Sequence, residues 1–458
     1  MARSTATTTT APAEAPARLR DARWRGLTIA LVLNVTFVAF EALAIATVMP
    51  VVARELGELE LYGWVFSAFL LADLVGIVVA GEVADRFGPA LPLGIGLALF
   101  TIGLLVGGLA PSMPVLVAAR AVQGLGAGTI PAVAYVVIGR TYPDALQPRM
   151  FAVLSTAWVV PGIAGPGLAV IVADHASWRW VFLGLLPVVL VAGGLALREL
   201  GRMPPHVGRD ARHVVPDAIA LAVGTALVLG GLQALHPLLT PALAAAGLIV
   251  GVPAFRRLVP AGTLGARGAL PAAVLARGLL TFAFFAADVY VPLTITVLRG
   301  EGIALSGLAL TGATITWTAG AWLQERTVLR YGAAPLVRNG FILVAGGIAG
   351  MGLVLVAAVP ATAAVIAWGI AGFGIGMAYS SISLTVLRHA SPGHEGATAS
   401  AMQLSDALGT ALGTGLGAVG VALAVTTTST PFAGVALADG LAAMSAVAGI
   451  AIAGRLRG

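Results

Sequence analysis

The sequence predicts an all-α polytopic membrane protein with about fourteen transmembrane helices. Three observations carry that expectation. Of 458 residues, 59% are hydrophobic and only 10% charged, against roughly 25% charged in an ordinary soluble domain. Apolar runs of about 20 residues, long enough to cross a bilayer as helix, recur along almost the whole length. The 26 basic residues, all of them arginine, concentrate in alternate loops between those runs.

Residues 1–25 are rich in Ala, Thr and Pro and end in Arg18, Arg20, Arg23 and Arg25. No apolar run precedes a cleavage site there, so the stretch reads as a disordered cytoplasmic tail rather than a signal peptide. Six spans follow at about 26–50, 62–81, 91–110, 114–138, 149–171 and 178–197, within residues 26–198. The polar stretch from Arg198 to Pro216 then leads to spans at about 217–235 and 239–256, so that residues 199–258 hold a polar linker and two spans. Six more spans, at about 271–296, 303–324, 335–358, 361–387, 396–422 and 432–454, fill residues 259–458.

The arginines orient these spans. With the N-terminus inside, one side collects Arg86, Arg140, Arg149 and Arg198, then Arg256, Arg257, Arg326, Arg330, Arg338, Arg388, Arg455 and Arg457; Arg202, Arg209 and Arg212 of the linker join them. The other side keeps Arg54, Arg179 and Arg299. This asymmetry is the positive-inside pattern and places both termini in the cytoplasm of a plasma-membrane protein. It also accounts for the formal charge of +6 without nucleic acid. With no cysteine and no lysine, thiolate chemistry, a phosphate-loop lysine and a lysine Schiff base are excluded. No cofactor or metal is expected, and no histidine spacing suggests a metal site.

Charges inside the spans are the candidates for function, because a charged side chain at mid-membrane costs roughly 2.5–3.5 kcal/mol or more. Arg120 and Gln123 lie one helical turn apart in the fourth span, and the carboxylates are Glu41, Asp73, Asp288 and Asp406, with Asp439 near a span end. At 1.5 Å per residue, Glu41 lies roughly 13 Å and Arg120 roughly 9 Å below the outer surface, so the two share a depth. Burial and a neighbouring arginine pull a carboxyl's proton affinity in opposite directions. Glu41, read as a proton-titrated carboxylate facing a central cavity with a fixed ion pair to Arg120 as the alternative, is therefore the first candidate for proton coupling and Asp288 the second. For Asp73 and Asp406 structural pairing and function stay equally open. Phe40, Trp64, Phe69, Phe284 and Trp317 are candidates to stack on a flat apolar cation. Trp178 and Trp180, opening the sixth span, read as interfacial anchors.

Gly124, Gly126 and Gly128 sit inside an apolar helix and follow no strand, so they read as helix-packing positions rather than a nucleotide loop. Pro161, Gly162, Gly165 and Pro166 interrupt the fifth span and invite a kink. Between spans two and three, Gly81, Asp85, Arg86 and Gly88 form a short turn in which Asp85 and Arg86 can cap helix ends or pair with a neighbour.

These stretches resemble the major facilitator superfamily. Gly81, Asp85, Arg86 and Gly88 match its loop pattern between spans two and three, with Pro89 and Ala90 where further basic residues stand. Arg330-Tyr331-Gly332 echoes Arg86-Phe87-Gly88 in the second half. Arg120, Gln123, Gly124, Gly126, Gly128 and Pro131 match the fourth-span pattern, and Trp178-Arg179-Trp180-Val181-Phe182 with Pro187 is similar to the sixth-span opening of the drug:proton antiporter group. The fifth span looks like the antiporter motif, with Ala169 and Val170 replacing its closing glycines. Glu41 stands where that group usually has Asp. The resemblance implies the major facilitator fold, two six-helix bundles with an inserted hairpin, as in the fourteen-helix branch. It further implies a gating loop at Gly81–Gly88, a hinge or seal in span five, and a monomer in the bilayer that exchanges protons for hydrophobic or cationic small molecules. Export of an endogenous lipid or metabolite is the alternative. A non-transporting scaffold would need soluble domains that the spacing of spans does not leave room for.

Overall fold

The computed structural model describes residues 19–58, 61–202, 214–234, 238–428 and 430–457. Every regular element among them is helical, and fourteen helices are long and apolar enough to cross a membrane. They are α1 (Ala22–Leu56), α2 (Tyr62–Phe87), α3 (Ala90–Gly108), α4 (Met113–Thr141), α5 (Gln147–His175), α6 (Arg179–Leu200) and α7 (Val215–Leu232). Then come α8 (Leu239–Leu258), α9 (Ala269–Leu298), α10 (Ile303–Tyr331), α11 (Ala333–Val354), α12 (Ala363–Arg388), α13 (Glu395–Val425) and α14 (Phe432–Leu456).

The expected tail of residues 1–25 is corrected at its end. Residues 1–18 lie outside the described residues, as do residues 203–213 of the expected linker, but α1 already begins at Ala22. Leu19 and Trp24 are buried, and Trp24 stacks on Tyr142 at 5.3 Å while Thr28 bonds the Tyr142 hydroxyl at 2.8 Å. Apolar contact orders a stretch whose composition alone reads as disordered.

The two most interior helices are α4 and α12, with 78% and 83% of their apolar windows buried. Each is the fourth helix of its half, which is what two related halves require. Small residues permit that burial. A Cβ at Gly124 or Gly128 would meet the backbone of α2 at Phe69 and Asp73, so only glycine lets α4 come this close. Gly372 and Gly376 do the same for α12 against α10, at Ala313 and Trp317.

The halves also repeat at a turn. α2 ends at Gly88 with φ 84° and α10 at Gly332 with φ 77°, a left-handed conformation that glycine adopts without strain. At each end the preceding arginine lies over its aromatic neighbour, Arg86 on Phe87 and Arg330 on Tyr331. Between the halves, α7 and α8 pair with each other, and α7 leans on α2 and α13.

Candidate functional site

The N-terminal half holds a closed polar cluster. Arg120 donates to Glu41 Oε1 and, at 2.6 Å, to Gln123 Oε1; Gln123 Nε2 donates to the same Glu41 oxygen at 3.0 Å. The guanidinium also points Nε at the Val65 carbonyl at 3.4 Å and lies 4.1 Å from the Phe69 ring centre. All three polar side chains are buried, and Glu41 Oε2 has no hydrogen-bond partner among the described residues. A helical turn places Arg120 and Gln123 on one face of α4, so a single carboxylate from α1 answers both. Glu41 is thus enclosed within the half rather than open to a cavity in this conformation, because the buried guanidinium needs its charge.

A second cluster lies in the other half around Arg277 of α9, which is fully buried. Its Nε stands 3.2 Å from Asp406 Oδ1, its Nη2 3.4 Å from Oδ2, and its Nη1 donates at 3.0 Å to the Tyr379 carbonyl and the Ser383 hydroxyl. Tyr379 donates its own hydroxyl to Asp406 at 2.9 Å, and the guanidinium stacks over the Tyr379 ring. One contact crosses between halves: Arg277 Nη2 reaches the hydroxyl of Tyr135, on α4, at 3.4 Å. Asp73 of α2 approaches Asp406 closely enough for their charges to interact, and it makes no hydrogen bond or ion pair among the described residues.

Aromatic rings extend this cluster toward Asp288. Trp317 packs against Tyr379 at 5.4 Å and edge-on to Phe284 at 5.5 Å; Phe284 stacks on Trp368 at 4.9 Å; Trp368 Nε1 donates to Asp288 at 2.8 Å. Pro292 supplies no N–H to the Asp288 carbonyl, and the helix is interrupted just after Asp288. Of the five aromatic candidates, Phe284 and Trp317 therefore belong to one network and Phe69 to the Arg120 cluster. Phe40 lies against Gly165 of α5. Trp64 is 52% exposed. Trp178 is corrected from interfacial anchor to buried residue: its Nε1 donates to Glu55 at 2.9 Å beneath Arg179, leaving only Trp180 exposed.

The loop residues hold the halves together at the arginine-rich face. Asp85 accepts from the Gly396 and Ala397 amides at 2.7 and 2.8 Å, capping the first turn of α13. An anionic group is favoured there by the exposed N–H groups and the helix dipole. Arg140 of α4 bridges Asp85 at 2.7 Å and Glu395 at 2.9 Å. Gly81 abuts the Gly396 backbone directly, and Ser400 donates to the Ile77 carbonyl at 2.6 Å. Arg86, by contrast, is exposed and takes no part in this latch.

α5 carries the break expected of Pro161. Its helix stops at Thr156 and resumes at Val159, where Pro161 cannot bond the Ala157 carbonyl. Below the break, Thr156 and Ser155 meet Trp322 and Thr318 of α10 at 3.0 and 3.4 Å. Beyond it, positions 162 and 165 face Thr314 of α10 and Phe40 and Leu43 of α1. Pro166 lies inside the second segment.

Two carboxylate–arginine clusters inside helices, a latch between two related halves and a broken helix at their seam define a membrane transporter. The family model of the Major Facilitator Superfamily matches residues 29–414, and the chain belongs to that family. It is similar to a probable multidrug-efflux transporter of Mycobacterium tuberculosis, 28% identical over 85% of this chain and 86% of the relative. It is also similar to a multidrug transporter protein of Bacillus subtilis, 28% identical over 37% of this chain and 32% of that protein. Solved structures share the fold. A human organic anion transporter gives a TM-score of 0.69 at 13% identity, covering 92% of this chain and 98% of its own. A proton:xylose symporter gives 0.66 at 15% identity, covering 92% and 94%.

Proposed function

We propose that this transporter exports lipophilic or cationic compounds in exchange for protons, by alternating access, as a monomer in the plasma membrane with both termini cytoplasmic. The observation that carries the reading is the Glu41–Arg120–Gln123 cluster, in which one carboxylate oxygen is buried and unpartnered. A proton added there cancels the charge that holds Arg120, so proton occupancy changes how α1 and α4 are held. The Arg277–Asp406 pair, with Asp73 across the seam and Asp288 at the end of the aromatic run, offers further proton sites in the same cycle. Cytoplasmic orientation of the arginine-rich face follows the positive-inside rule. On that orientation the Asp85–Arg140–Glu395 latch closes the cytoplasmic end, and exchange requires it to open. The efflux relatives support the substrate class.

The test is transport in liposomes of purified protein, using a lipophilic cationic dye and an imposed pH gradient. Dye should accumulate with the gradient and stop when a protonophore collapses it. Dye movement indifferent to the gradient would remove proton coupling.

A further inference from the structure

The inserted hairpin does more than link the halves. Between α7 and α8 on one side and α9, α13 and α14 on the other runs a groove of about 560 Å³, lined by Val228, Leu248, Phe255, Phe282, Leu412 and Met444 among others. Few polar groups line it: Thr225 donates to the Leu221 carbonyl at 2.8 Å, Ser445 donates to the Leu279 carbonyl at 2.9 Å, and Ser405 adds one buried hydroxyl. Leu275 and Phe282 of α9 lie seven residue steps apart, about 10 Å, which fits within one leaflet's roughly 15 Å of hydrocarbon.

The groove does not end in apolar surface. Leu264, 48% exposed, lines both it and a second hollow of about 310 Å³ bounded by Arg256, Val259, Thr263 and Arg267. This hollow lies in the turn joining α8 to α9, at the arginine-rich face. Arg257 next door is neutralised by Asp217 at 3.0 Å, and Arg455 is spent on the carbonyls of Gly265 and Ala266 at 2.7 and 3.3 Å. Arg256 and Arg267 are exposed, and neither has an acidic partner among the described residues.

We propose that groove and hollow form one binding site for an anionic glycerophospholipid of the bilayer. One acyl chain lies along the groove and the phosphate rests on Arg256 and Arg267. The chemistry of both ends selects this occupant. A groove lined almost wholly by apolar side chains and set among membrane-spanning helices offers water too few hydrogen bonds to hold it, and is filled by hydrocarbon. Two unpaired guanidinium groups at headgroup depth attract a phosphate and hold it by charge-assisted bonds. Leu264 sits where glycerol joins headgroup to chain. The lipid would seat the hairpin against the C-terminal half.

Native mass spectrometry of the purified full chain tests this directly. The protein is equilibrated in mixed micelles with equal mole fractions of phosphatidylglycerol and phosphatidylcholine carrying the same acyl chains. Wild-type protein should retain one phosphatidylglycerol, preferred by roughly 10-fold or more. The R256Q/R267Q double variant should lose that preference, whereas Arg257→Gln should keep it. Met444→Trp, which fills the groove from a position 62% exposed, should lower retention of both lipids. Gel filtration separates lipid loss from misfolding, and should R256Q/R267Q misfold, the wild-type preference and Met444→Trp decide. Equal retention of the two lipids by wild-type protein overturns the proposal. So does unchanged phosphatidylglycerol retention in R256Q/R267Q, or an equal loss in Arg257→Gln, which would indicate a diffuse basic surface.

Discussion

The Glu41 carboxylate is the counter-ion of Arg120, and neither side chain reaches solvent, at 0% and 4% exposed. Glu41→Gln keeps an amide oxygen for Arg120 and removes only the titratable charge. That variant should still insert and elute as a folded protein, with lowered thermal stability because Arg120 loses its counter-charge, yet lose dye transport driven by a pH gradient. Glu41→Ala leaves a guanidinium buried without its partner, a change that costs about 3–5 kcal/mol. Its thermal unfolding in detergent should fall well below that of Glu41→Gln. Undiminished gradient-driven transport in Glu41→Gln would take Glu41 out of the coupling mechanism.

The Arg277–Asp406 pair makes a parallel case in the other half. Asp406→Asn removes the counter-charge of the Arg277 guanidinium, which is held additionally by Ser383 and the Tyr379 carbonyl. A destabilisation of about 3 kcal/mol is expected, while Arg277→Met combined with Asp406→Asn should recover most of it. Thermal unfolding of the two single variants and the double variant closes the cycle. Simple additivity would mean that the two residues are not coupled.

Depth arithmetic explains why the first cluster was legible and the second was not. Glu41 and Arg120 lie at similar counted distances from the outer ends of their spans, so counting residues places them together. Arg277 carries the same signal, an arginine inside the apolar run from Ala269 to Phe285, and the logic applied to Arg120 finds it. Its partners are another matter: Asp406, Tyr379 and Tyr135 lie 129, 102 and 142 residues away, and only packing brings them in. Asp85 is readable as a cap from its loop, but that it caps a helix 311 residues distant is a property of the closed halves. The spans themselves are legible because the bilayer imposes length and polarity on each separately. Trp178 shows the limit of that locality, since a span start suggests the interface and Glu55, 123 residues earlier, draws the ring inside.

The latch predicts a conformational shift. Asp85→Ala removes two hydrogen bonds from backbone N–H groups and one arginine contact. A loss of about 3 kcal/mol from the latched state would change its population by about 100-fold. Because the chain has no cysteine, Phe87→Cys and Leu329→Cys give a clean spin-label pair at positions 55% and 63% exposed. Pulsed-EPR distances across the arginine-rich face should lengthen when Asp85→Ala is added. An unchanged distance distribution would show that Asp85 does not hold the halves closed.

The break in α5 sets the last test, which separates a hinge from a merely bent helix. Pro161 denies the Ala157 carbonyl its partner, and Pro161→Ala offers an N–H that lets the helix run straight through. Restoring a helical bond and a good helix former should leave thermal stability equal or slightly higher. If the two segments must move independently between Phe40 of α1 and Thr314 of α10, the same variant should slow dye transport several-fold. Gly165→Leu tests the seam between α5 and α1 from α5 itself. A Cβ there already sits 3.7 Å from Leu43 and 3.8 Å from Phe40, so a longer side chain collides across the α1–α5 seam and should block transport. A bent helix that only packs predicts the opposite for Pro161→Ala, stability changed and transport intact. Measuring dye flux and thermal unfolding on the same preparations distinguishes the two, because only a working hinge links straightening of α5 to slower exchange.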